Sequence, residues 1–327
     1  MKAAFYNRTG AAADVLQVAD VPDPQPAAGE VRVRLSWSGV NPSDVKARGG
    51  SRPMSAPRVI PHSDGMGVVD AVGEGVDPAR AGRRVWIWNG QWRRAFGTAA
   101  QFICVPSQQA VDLPDGVADE AGACFGIPAL TALHAVLTDG GVAGQRVLVA
   151  GGAGAVGHYA VQFARLLGAR QVIATASTQA KRELALQAGT DVAIDYRQPD
   201  AAAQVRDASD GQGVDRIIEL DVAGNAALNL AVMRPAATWV VYGSGKRDFE
   251  LPFFPLIQNQ ALLRFFIVYE LLPADRARAN ELLAHFLRKE ALNHNIAARV
   301  PLADVGRAHE MVERGEVTGN VVVKLPG

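Results

Sequence analysis

The feature that most constrains this fold is a glycine-rich segment, GGAGAVG at 151–157, directly after the apolar run RVLVA at 146–150. A helix is predicted next, because apolar residues recur at helical spacing: Val156, Ala160, Phe163, Ala164 and Leu167. Gly151 permits a tight turn, Gly154 lets the backbone approach a pyrophosphate, and Gly157 lets the helix pack closely on the strand. Phosphate oxygens then meet free N–H groups at a positive helix end. The pattern predicts a dinucleotide-binding strand-turn-helix unit; the alternative is a glycine-rich packing turn.

From about residue 120 onward, short apolar segments alternate with helical segments. The predicted strands are 146–150, 171–176, 191–196, 214–220, 238–242 and 262–269. Such alternation is typical of a doubly wound parallel sheet, and six strands are the full count of the Rossmann fold.

The first 120 residues have a different, β-rich character. At 30–37 the alternation is regular and places Val31, Val33, Leu35 and Trp37 on one face. Further strands are predicted at 68–72, 84–88 and 101–105, which indicates a small, mostly antiparallel barrel.

The C-terminal segment carries two predicted helices, 274–292 and 304–314, and a strand at 321–325. It is too short to form a domain, so we expect it to pack on the first half. The sequence therefore predicts an α/β chain in which residues 1–123 and 270–327 form a β-rich domain and residues 124–269 an inserted Rossmann domain.

Composition and charge exclude several classes of protein. Lys plus Arg and Asp plus Glu each number 33, so no net field attracts nucleic acid or anionic lipid. The weakly charged run 147–164 contains glycines, His158 and Gln162, which argues against a membrane span. Cys104 and Cys124 have no metal-ligand spacing. With no apolar signal segment at the N-terminus, we expect a soluble cytoplasmic protein without nucleic-acid or membrane partners.

The residues after the second predicted strand indicate which dinucleotide binds. No acidic side chain stands there to accept ribose hydroxyls; instead Ser177 and Thr178 are followed by Lys181 and Arg182. Hydroxyl and cationic groups suit a 2′-phosphate, which favours NADPH over NADH. Tyr196, at the end of the third strand, is a further candidate contact. The alternative for Lys181 and Arg182 is a solvated helix surface.

Several further motifs, in this order and spacing, resemble one superfamily over nearly the whole chain. They are 39–44 (GVNPSD), 61–76, the glycine turn, 242–245 (YGSG) and 319–323 (GNVVV). The chain resembles the medium-chain dehydrogenases/reductases, and more narrowly the zinc-free, zeta-crystallin-like quinone oxidoreductases and alkenone reductases. The resemblance implies a GroES-like catalytic domain beside the Rossmann domain.

The resemblance also bears on metal binding. Zinc-dependent members carry a Cys in the first motif, Gly-His-Glu in the second and a Cys near the domain junction; this chain has Asn41, residues 62–64 (HSD) and Ile127 there. The four-cysteine lobe is also missing, and His62 is interpreted as a loop histidine. We therefore expect no metal, and hydride transfer from NADPH to a quinone or an α,β-unsaturated carbonyl compound, since no Lewis acid assists an ordinary alcohol.

Three residues on the segment that resembles the substrate loop are candidate catalytic residues. Asn41 and Lys46 would hydrogen bond the developing oxyanion or enolate, with Asp44 nearby. Quinone reductases often carry Tyr at the position of Lys46, and alkenone reductases Lys, which favours enones. The alternatives are that Lys46 is a surface residue, that Asn41 caps a turn and that Asp44 starts a helix.

The resemblance implies the remaining cofactor contacts. The pyrophosphate would meet Ala153, Gly154, Ala155 and Val156; the adenosine phosphate Ser177, Lys181 and Tyr196; other parts Thr131, Gly243 and Ser244; and the nicotinamide Phe265, Phe266 and Ile267. Phe265 and Phe266 either belong to the core of the sheet or narrow the substrate pocket. Residues 249–263 are expected to set substrate selectivity and to contribute to a homodimer, with a tetramer as the alternative.

Two other functions remain open. An enoyl-thioester reductase would need a basic groove for phosphates, and Arg48, Arg52, Arg58, Arg93 and Arg94 show no evident clustering in the sequence. The third possibility is a catalytically silent NADPH-binding protein with a structural or RNA-binding role, which zero net charge argues against.

Overall fold

The computed structural model describes all 327 residues. The strands are β1 Lys2–Phe5, β2 Gln17–Asp20, β3 Glu30–Val40, β4 Asp64–Val72, β5 Arg84–Ile87, β6 Phe102–Pro106, β7 Ala110–Asp112, β8 Arg146–Val149, β9 Gln171–Thr175, β10 Val192–Ile194, β11 Val214–Glu219, β12 Met233–Val241, β13 Leu262–Phe265, β14 Ile296–Pro301 and β15 Asn320–Lys324. The helices are α1 Ala12–Val15, α2 Pro42–Arg48, α3 Asp119–Gly122, α4 Leu130–Leu137, α5 Ala155–Leu166, α6 Gln179–Gln187, α7 Ala201–Ala208, α8 Val222–Val232, α9 Phe253–Gln258, α10 Pro273–Arg288 and α11 Val305–Glu313.

The chain divides into two compact units, and the second is inserted into the first. The first unit comprises Met1–Pro128 and Ala284–Gly327, and the second Ala129–Leu283. The division predicted from the sequence, at 124 and 270, assigned α10 wholly to the first unit; in the structure the boundary falls within α10.

The first unit is built on a mainly antiparallel sheet with the order β14-β15-β3-β4-β5-β7, and β6 also pairs with β3. Its C-terminal strand β15 pairs antiparallel with β3, and α11 contributes buried Val305 and Ala308 to the same core. Strand β15 and helix α11 of the C-terminal segment therefore pack on the first half, whereas the first part of α10 belongs to the second unit.

The alternation predicted for β3 does not extend to its end. Val31, Val33 and Leu35 are buried, but Trp37 is only partly covered and lies beneath the Lys324 ammonium group, 5.9 Å from the ring centroid. The pairing of β3 with β4 is irregular between Leu35 and Trp37, and a register shift turns the following side chains to the other face. The prediction that Trp37 shares the face of Val31, Val33 and Leu35 was therefore wrong. Ser38 is buried instead.

The second unit contains a six-stranded parallel sheet with the order β10-β9-β8-β11-β12-β13. Numbered within the unit, this is 3-2-1-4-5-6, which confirms the predicted Rossmann fold. The predicted last strand is shorter than expected: β13 ends at Phe265, and a 3₁₀ turn follows at Val268–Glu270. None of the helices combines the length and apolar character that crossing a membrane requires.

Candidate active site

The glycine turn has the geometry of a phosphate-binding loop. Gly151 adopts a φ of +67°, in the left-handed region, and a Cβ at Gly157 would lie only 2.1 Å from the Gly151 oxygen. Gly154 is the residue at the N-cap of α5. Thr175, at the end of β9, fixes the turn, because its Oγ1 and backbone oxygen accept bonds from the N–H groups of Gly151 and Gly152 at 3.2 and 3.0 Å.

The four predicted pyrophosphate contacts lie together at this turn. Ala153 is buried, whereas Gly154, Ala155 and Val156 are partly exposed at the start of α5. The first N–H groups of a helix have no acceptor within the helix and are therefore available to an anion. The N–H of Gly154 donates to the Gly151 oxygen at 2.9 Å, so the backbone donors that the structure presents here are those of Ala155 and Val156 in the first turn of α5.

The predicted adenosine-phosphate contacts lie around the ends of β9 and β10. Thr178 caps α6 by accepting from the N–H of Lys181 at 3.3 Å, and Tyr196 is 46% exposed. Ser177 lies directly after β9, and its backbone oxygen accepts a bond from the guanidinium of Arg197. The structure therefore brings Ser177 to the segment that carries Tyr196 and Arg197.

Arg197 is a candidate that sequence reasoning missed. It also bonds both oxygens of Asp195, at 3.0 and 2.8 Å, and this contact lowers the pKa of that carboxyl. Arg182 Nη1 lies 3.2 Å from Asp195 Oδ2, the oxygen that Arg197 Nη2 also contacts. Asp195 therefore holds two guanidinium groups beside Ser177, where the sequence had suggested Lys181 as the main cation.

The residues predicted to contact the nicotinamide and the adjoining part of the cofactor include both buried and exposed side chains. Thr131 is buried on α4, while Gly243 and Ser244 follow β12 and Ser244 Oγ donates to the Lys246 oxygen at 2.7 Å. Phe266 packs on the His134 ring at 4.6 Å between centroids. Phe265 is 53% exposed and Ile267 46%, so Phe265 is not strand core.

The three candidate catalytic residues lie at the start of and along α2. Asn41 is the N-cap residue and Asp44 the third helical residue, and the N–H of Asn41 donates to Asp44 Oδ2 at 2.8 Å. This is the capping arrangement that the alternative for both residues described. Both are buried, and burial raises the pKa of Asp44 to about 7. Lys46 is exposed, and the structure does not bring it into contact with the other two.

Asp64 links the three segments whose counterparts carry metal ligands in zinc-dependent members. Its fully buried Oδ2 accepts from the side-chain amide of Asn41 at 2.9 Å and from the N–H of Ile127 at 3.1 Å. The sequence did not single out Asp64 as a site residue. The one sequence feature that could have identified Asp64 is its place in residues 62–64, which align with the Gly-His-Glu motif of zinc-dependent members.

His62 lies in the loop before β4, as predicted, and belongs to a buried hydrogen-bonded chain. Its Nδ1 lies 2.8 Å from Ser38 Oγ, and its Nε2 lies 2.8 Å from Nε2 of His309. Ser38 Oγ also lies 2.8 Å from Thr98 Oγ1, which donates to the backbone oxygen of Asp64 at 2.5 Å. Since each hydroxyl donates once, the chain runs from His309 through His62, Ser38 and Thr98 to Asp64. Burial lowers the pKa of both imidazoles, which favours the neutral form of each.

Two of the five arginines that showed no clustering in the sequence lie together. The guanidinium carbons of Arg52 and Arg93 are 4.8 and 5.4 Å from the centroid of the Trp92 ring. Arg48, by contrast, pairs with Glu313 at 2.8 Å, and Arg58 lies over Phe5. The expectation that these arginines do not cluster was therefore wrong for Arg52 and Arg93. Their shared contact with the Trp92 ring depends on how two loops, some forty residues apart in the chain, fold.

Comparisons with known proteins cover both units. Residues 27–115 match the alcohol dehydrogenase GroES-like domain, and residues 155–286 match the zinc-binding dehydrogenase family. Quinone oxidoreductase from Sus scrofa is 30% identical over 229 residues, which cover 69% of this chain and 68% of that protein.

Two further matches extend over almost the whole chain. A phenolphthiocerol/phthiocerol polyketide synthase polypeptide from Mycobacterium tuberculosis is 31% identical over 323 residues, or 96% of this chain. The chain spans only 14% of the length of that polypeptide. A native mycobacterial structure complexed with NADPH is 30% identical, with a TM-score of 0.87 over 99% of this chain and all of the other.

Together with the two-unit architecture and the glycine turn, these matches assign the family. The cofactor predicted from the sequence, NADPH, is the one held by the mycobacterial structure. The chain belongs to the medium-chain dehydrogenase/reductase family, in its quinone-oxidoreductase group.

Proposed function

We propose that the protein is an NADPH-dependent reductase that reduces a quinone or an α,β-unsaturated carbonyl compound without zinc. The observation that carries the proposal is the Asp64 carboxylate, which bonds Asn41 and Ile127 where zinc-dependent relatives converge on a metal. The glycine turn of the second unit supports the cofactor, and the quinone oxidoreductase relative supports the type of acceptor.

The residues of the second unit fit NADPH. In this proposal the backbone of Ala153, Gly154, Ala155 and Val156 binds the pyrophosphate, and Ser177, Lys181, Tyr196 and Arg197 surround the 2′-phosphate. Thr131, Gly243, Ser244, Phe265, Phe266 and Ile267 hold the rest of the cofactor. When bound, NADPH supplies the hydride. The open space beside Gly154, where a Cβ would meet only the Gly151 oxygen at 3.3 Å, is consistent with a phosphate there.

The side chains at the compared metal positions suit zinc poorly. Zinc is held by thiolate, imidazole and carboxylate groups, but Asn41 offers an amide and Ile127 an alkyl side chain. Both ring nitrogens of His62 are engaged, one with Ser38 and the other with His309. The Asp64 carboxylate remains, and it accepts two N–H groups. Without a Lewis acid, the acceptor itself must carry a polarised, conjugated carbonyl.

The three candidate catalytic residues take different roles in this proposal. Lys46 is exposed, so its ammonium group donates to the oxyanion or enolate that develops on the acceptor. Asn41 and Asp44 are buried, and Asn41 donates to Asp44 and to Asp64, so the two residues act by holding the first turn of α2 in place. They are therefore positioning residues rather than donors to the acceptor.

A second candidate function is the reduction of an unsaturated thioester. The match to a polyketide synthase over 96% of the chain and the pairing of Arg52 with Arg93 on Trp92 favour it. Side-by-side assays with a free enone and crotonyl-coenzyme A separate the two. NADPH binding without turnover on any electrophile would instead favour the catalytically silent alternative.

A homodimer is also part of the proposal. The edge strand β13 and the neighbouring segments carry exposed apolar side chains: Phe253, Phe254, Ile257, Leu262, Phe265, Ile267 and Leu272. An apolar sheet edge of this kind is suited to pairing with a second copy of the chain. A cytoplasmic location and the lack of nucleic-acid or membrane partners stay predictions.

The experiment that tests the proposed function measures NADPH oxidation with 9,10-phenanthrenequinone and with a short alkenone, with and without a chelator. Turnover that the chelator does not diminish is expected. Turnover that the chelator abolishes would contradict the zinc-free reaction, and NADPH binding with no turnover would contradict the reductase.

A further inference from the structure

Glu219 places a buried carboxylate at the carboxyl end of β11, at the point where the sheet of the second unit changes direction. The strand order is β10-β9-β8-β11-β12-β13, so the chain builds outward from β8 on one side and from β11 on the other. Dinucleotides bind at the carboxyl ends of parallel strands at such a switch point. Glu219 is the last residue of β11 and is fully buried. An acid therefore stands at the end of the sheet where the cofactor is proposed to bind.

Both segments beside Glu219 carry proposed cofactor contacts. On one side Leu220 lies against the glycine turn, since a Cβ at Gly151 would be 2.4 Å from Leu220 Cδ2. On the other side the N–H of Tyr242 donates to the backbone oxygen of Glu219 at 3.0 Å, which attaches the 242–245 loop to the end of β11. Glu219 therefore lies between the phosphate-binding turn and the loop proposed to hold the nicotinamide side of the cofactor.

The hydrogen bonds of the Glu219 side chain match an ionised carboxylate. Oε1 accepts from the N–H of Asp221 at 2.5 Å and from Nδ2 of Asn225 at 2.8 Å, and Oε2 accepts from Nδ2 of Asn229 at 2.7 Å. All three groups donate, and an ionised carboxylate only accepts. A proton on either oxygen would meet a donor instead of an acceptor.

The three partners of Glu219 leave its charge in place. Each is a neutral N–H group, and N–H dipoles stabilise a carboxylate without cancelling its net charge. Arg216, on the same strand, bonds the backbone oxygens of Ala135, Thr138 and Asp139 instead. Glu219 therefore carries a full negative charge in a buried place.

The charge of Glu219 acts toward the proposed nicotinamide contacts. Burial, and after it the charge of Glu219, raises the pKa of the Tyr242 hydroxyl. The centroid of the Tyr242 ring lies 6.3 Å from that of Phe266, one of the proposed nicotinamide contacts. Protein interior screens a charge less than water does, so a buried carboxylate acts over such distances. A second carboxylate, Asp221, accepts from the N–H of Gly245 at 2.6 Å, but it is partly exposed, and water and salt screen it more.

We propose that Glu219 strengthens the bound cofactor as a hydride donor. The nicotinamide ring is neutral in NADPH and cationic in NADP⁺, so the negative charge of Glu219 stabilises the oxidised form relative to the reduced form. Hydride transfer moves a proton and two electrons to the acceptor and leaves the ring positive, which is the state that Glu219 favours. The proposal rests on the proposed reductase function, in which no metal polarises the acceptor and a stronger donor is an advantage.

Two dissociation constants measured without an acceptor test the proposal. Calorimetric titration at low ionic strength gives Kd for NADP⁺ and Kd for NADPH. Glu219→Gln removes the charge and keeps the length of the side chain, and Asn229 can turn its amide so that its oxygen accepts from the new NH₂ group. We expect the ratio of Kd for NADP⁺ to Kd for NADPH to rise by about threefold or more. A disturbed fold weakens both forms alike, so the ratio reports the charge.

A charge swap and two controls complete the design. Glu219→Gln/Asn229→Asp exchanges acid and amide across their 2.7 Å hydrogen bond and should return the ratio toward the wild-type value. Asn225→Ala removes a donor to Glu219 but no charge. Asp215→Asn removes a carboxylate near the other end of the same strand, where it pairs with Arg234 at 2.7 Å. We expect each control to change the ratio by less than about 1.5-fold.

The binding measurement separates failure of this inference from failure of the proposed function. A higher ratio in Glu219→Gln that the charge swap reverses supports the inference even when no acceptor is reduced. Reduction of an acceptor by wild-type protein, with equal ratios in wild-type protein and Glu219→Gln, would leave the reductase standing and overturn the role of Glu219. A rise that the charge swap leaves in place, or an equal rise in Asp215→Asn, would also overturn it. Wild-type protein that binds neither form would contradict both proposals.

Discussion

The Nε2 atoms of His62 and His309 lie 2.8 Å apart in the buried core of the first unit, although 247 positions separate the two residues in the chain. One ring must donate and the other accept, so at least one of the two imidazoles is neutral, and burial favours the neutral form of both. The charge of Arg48 also acts on the pair and further lowers the pKa of His309.

This pair predicts that stability falls in acid. Burial lowers the pKa of His62 to about 3, while an unfolded histidine titrates near its ordinary value of about 6.5. Between these values the unfolded chain binds more protons, so the free energy of unfolding decreases as the pH falls from about 6.5 toward 3, and the pair contributes no slope above about 7. Urea unfolding at pH 7 and pH 5 measures the difference.

The control for this prediction is the exposed His285. We expect His62→Gln/His309→Leu to flatten the acid slope, although buried Asp44, whose pKa is raised, contributes a slope of opposite sign in both proteins. His285→Gln should leave the slope unchanged. An equal slope in wild-type protein and the double variant would contradict the assignment.

Asp64 predicts a large effect of a small substitution. In Asp64→Asn the amide oxygen either replaces Oδ2 as a weaker, uncharged acceptor for Asn41 and Ile127, or the NH₂ group takes that place and both buried donors lose their partner. We expect a loss of about 1–3 kcal/mol in the free energy of unfolding. Asp20→Asn, at an exposed ion pair with Lys2, is the matched control and should change it far less. Equal effects of the two substitutions would show that Asp64 holds neither segment.

Arg197 and Lys181 predict a cofactor-specific effect. Arg197→Ala and Lys181→Ala should each raise KM for NADPH by about tenfold and leave KM for NADH nearly unchanged, because only NADPH carries the 2′-phosphate. Arg170→Ala, at an exposed position of the same unit, should change neither. Equal increases with both cofactors would mean that these residues act on the fold rather than on the phosphate.

The exposed apolar side chains at the β13 edge of the second unit predict that a charged substitution there converts a dimer into a monomer. Phe254 is 71% exposed on α9, so Phe254→Glu should prevent pairing of two copies, which light scattering after size exclusion would report as half the mass. Leu186→Glu, on α6 and 45% exposed, should leave the mass unchanged. A wild-type protein that is already monomeric would contradict the proposed dimer.

The local pattern of the sequence predicted much of the fold. The glycine turn and the alternation of strands and helices specified the parallel sheet, because these signals lie within a few residues of one another. Trp37 was misplaced since a register shift in β3 leaves no local mark. Arg197, His309 and the Arg52–Arg93 pair could not be found, because each depends on contacts between segments distant in the chain.

The most direct test of the account is the loss of NADPH absorbance with 9,10-phenanthrenequinone, a short alkenone and crotonyl-coenzyme A, each with a chelator throughout and with NADH in parallel. The account predicts oxidation of NADPH in preference to NADH, with the quinone or the enone as acceptor, at a rate that the chelator leaves unchanged. No oxidation with any of the three acceptors, although NADPH binds, would contradict it.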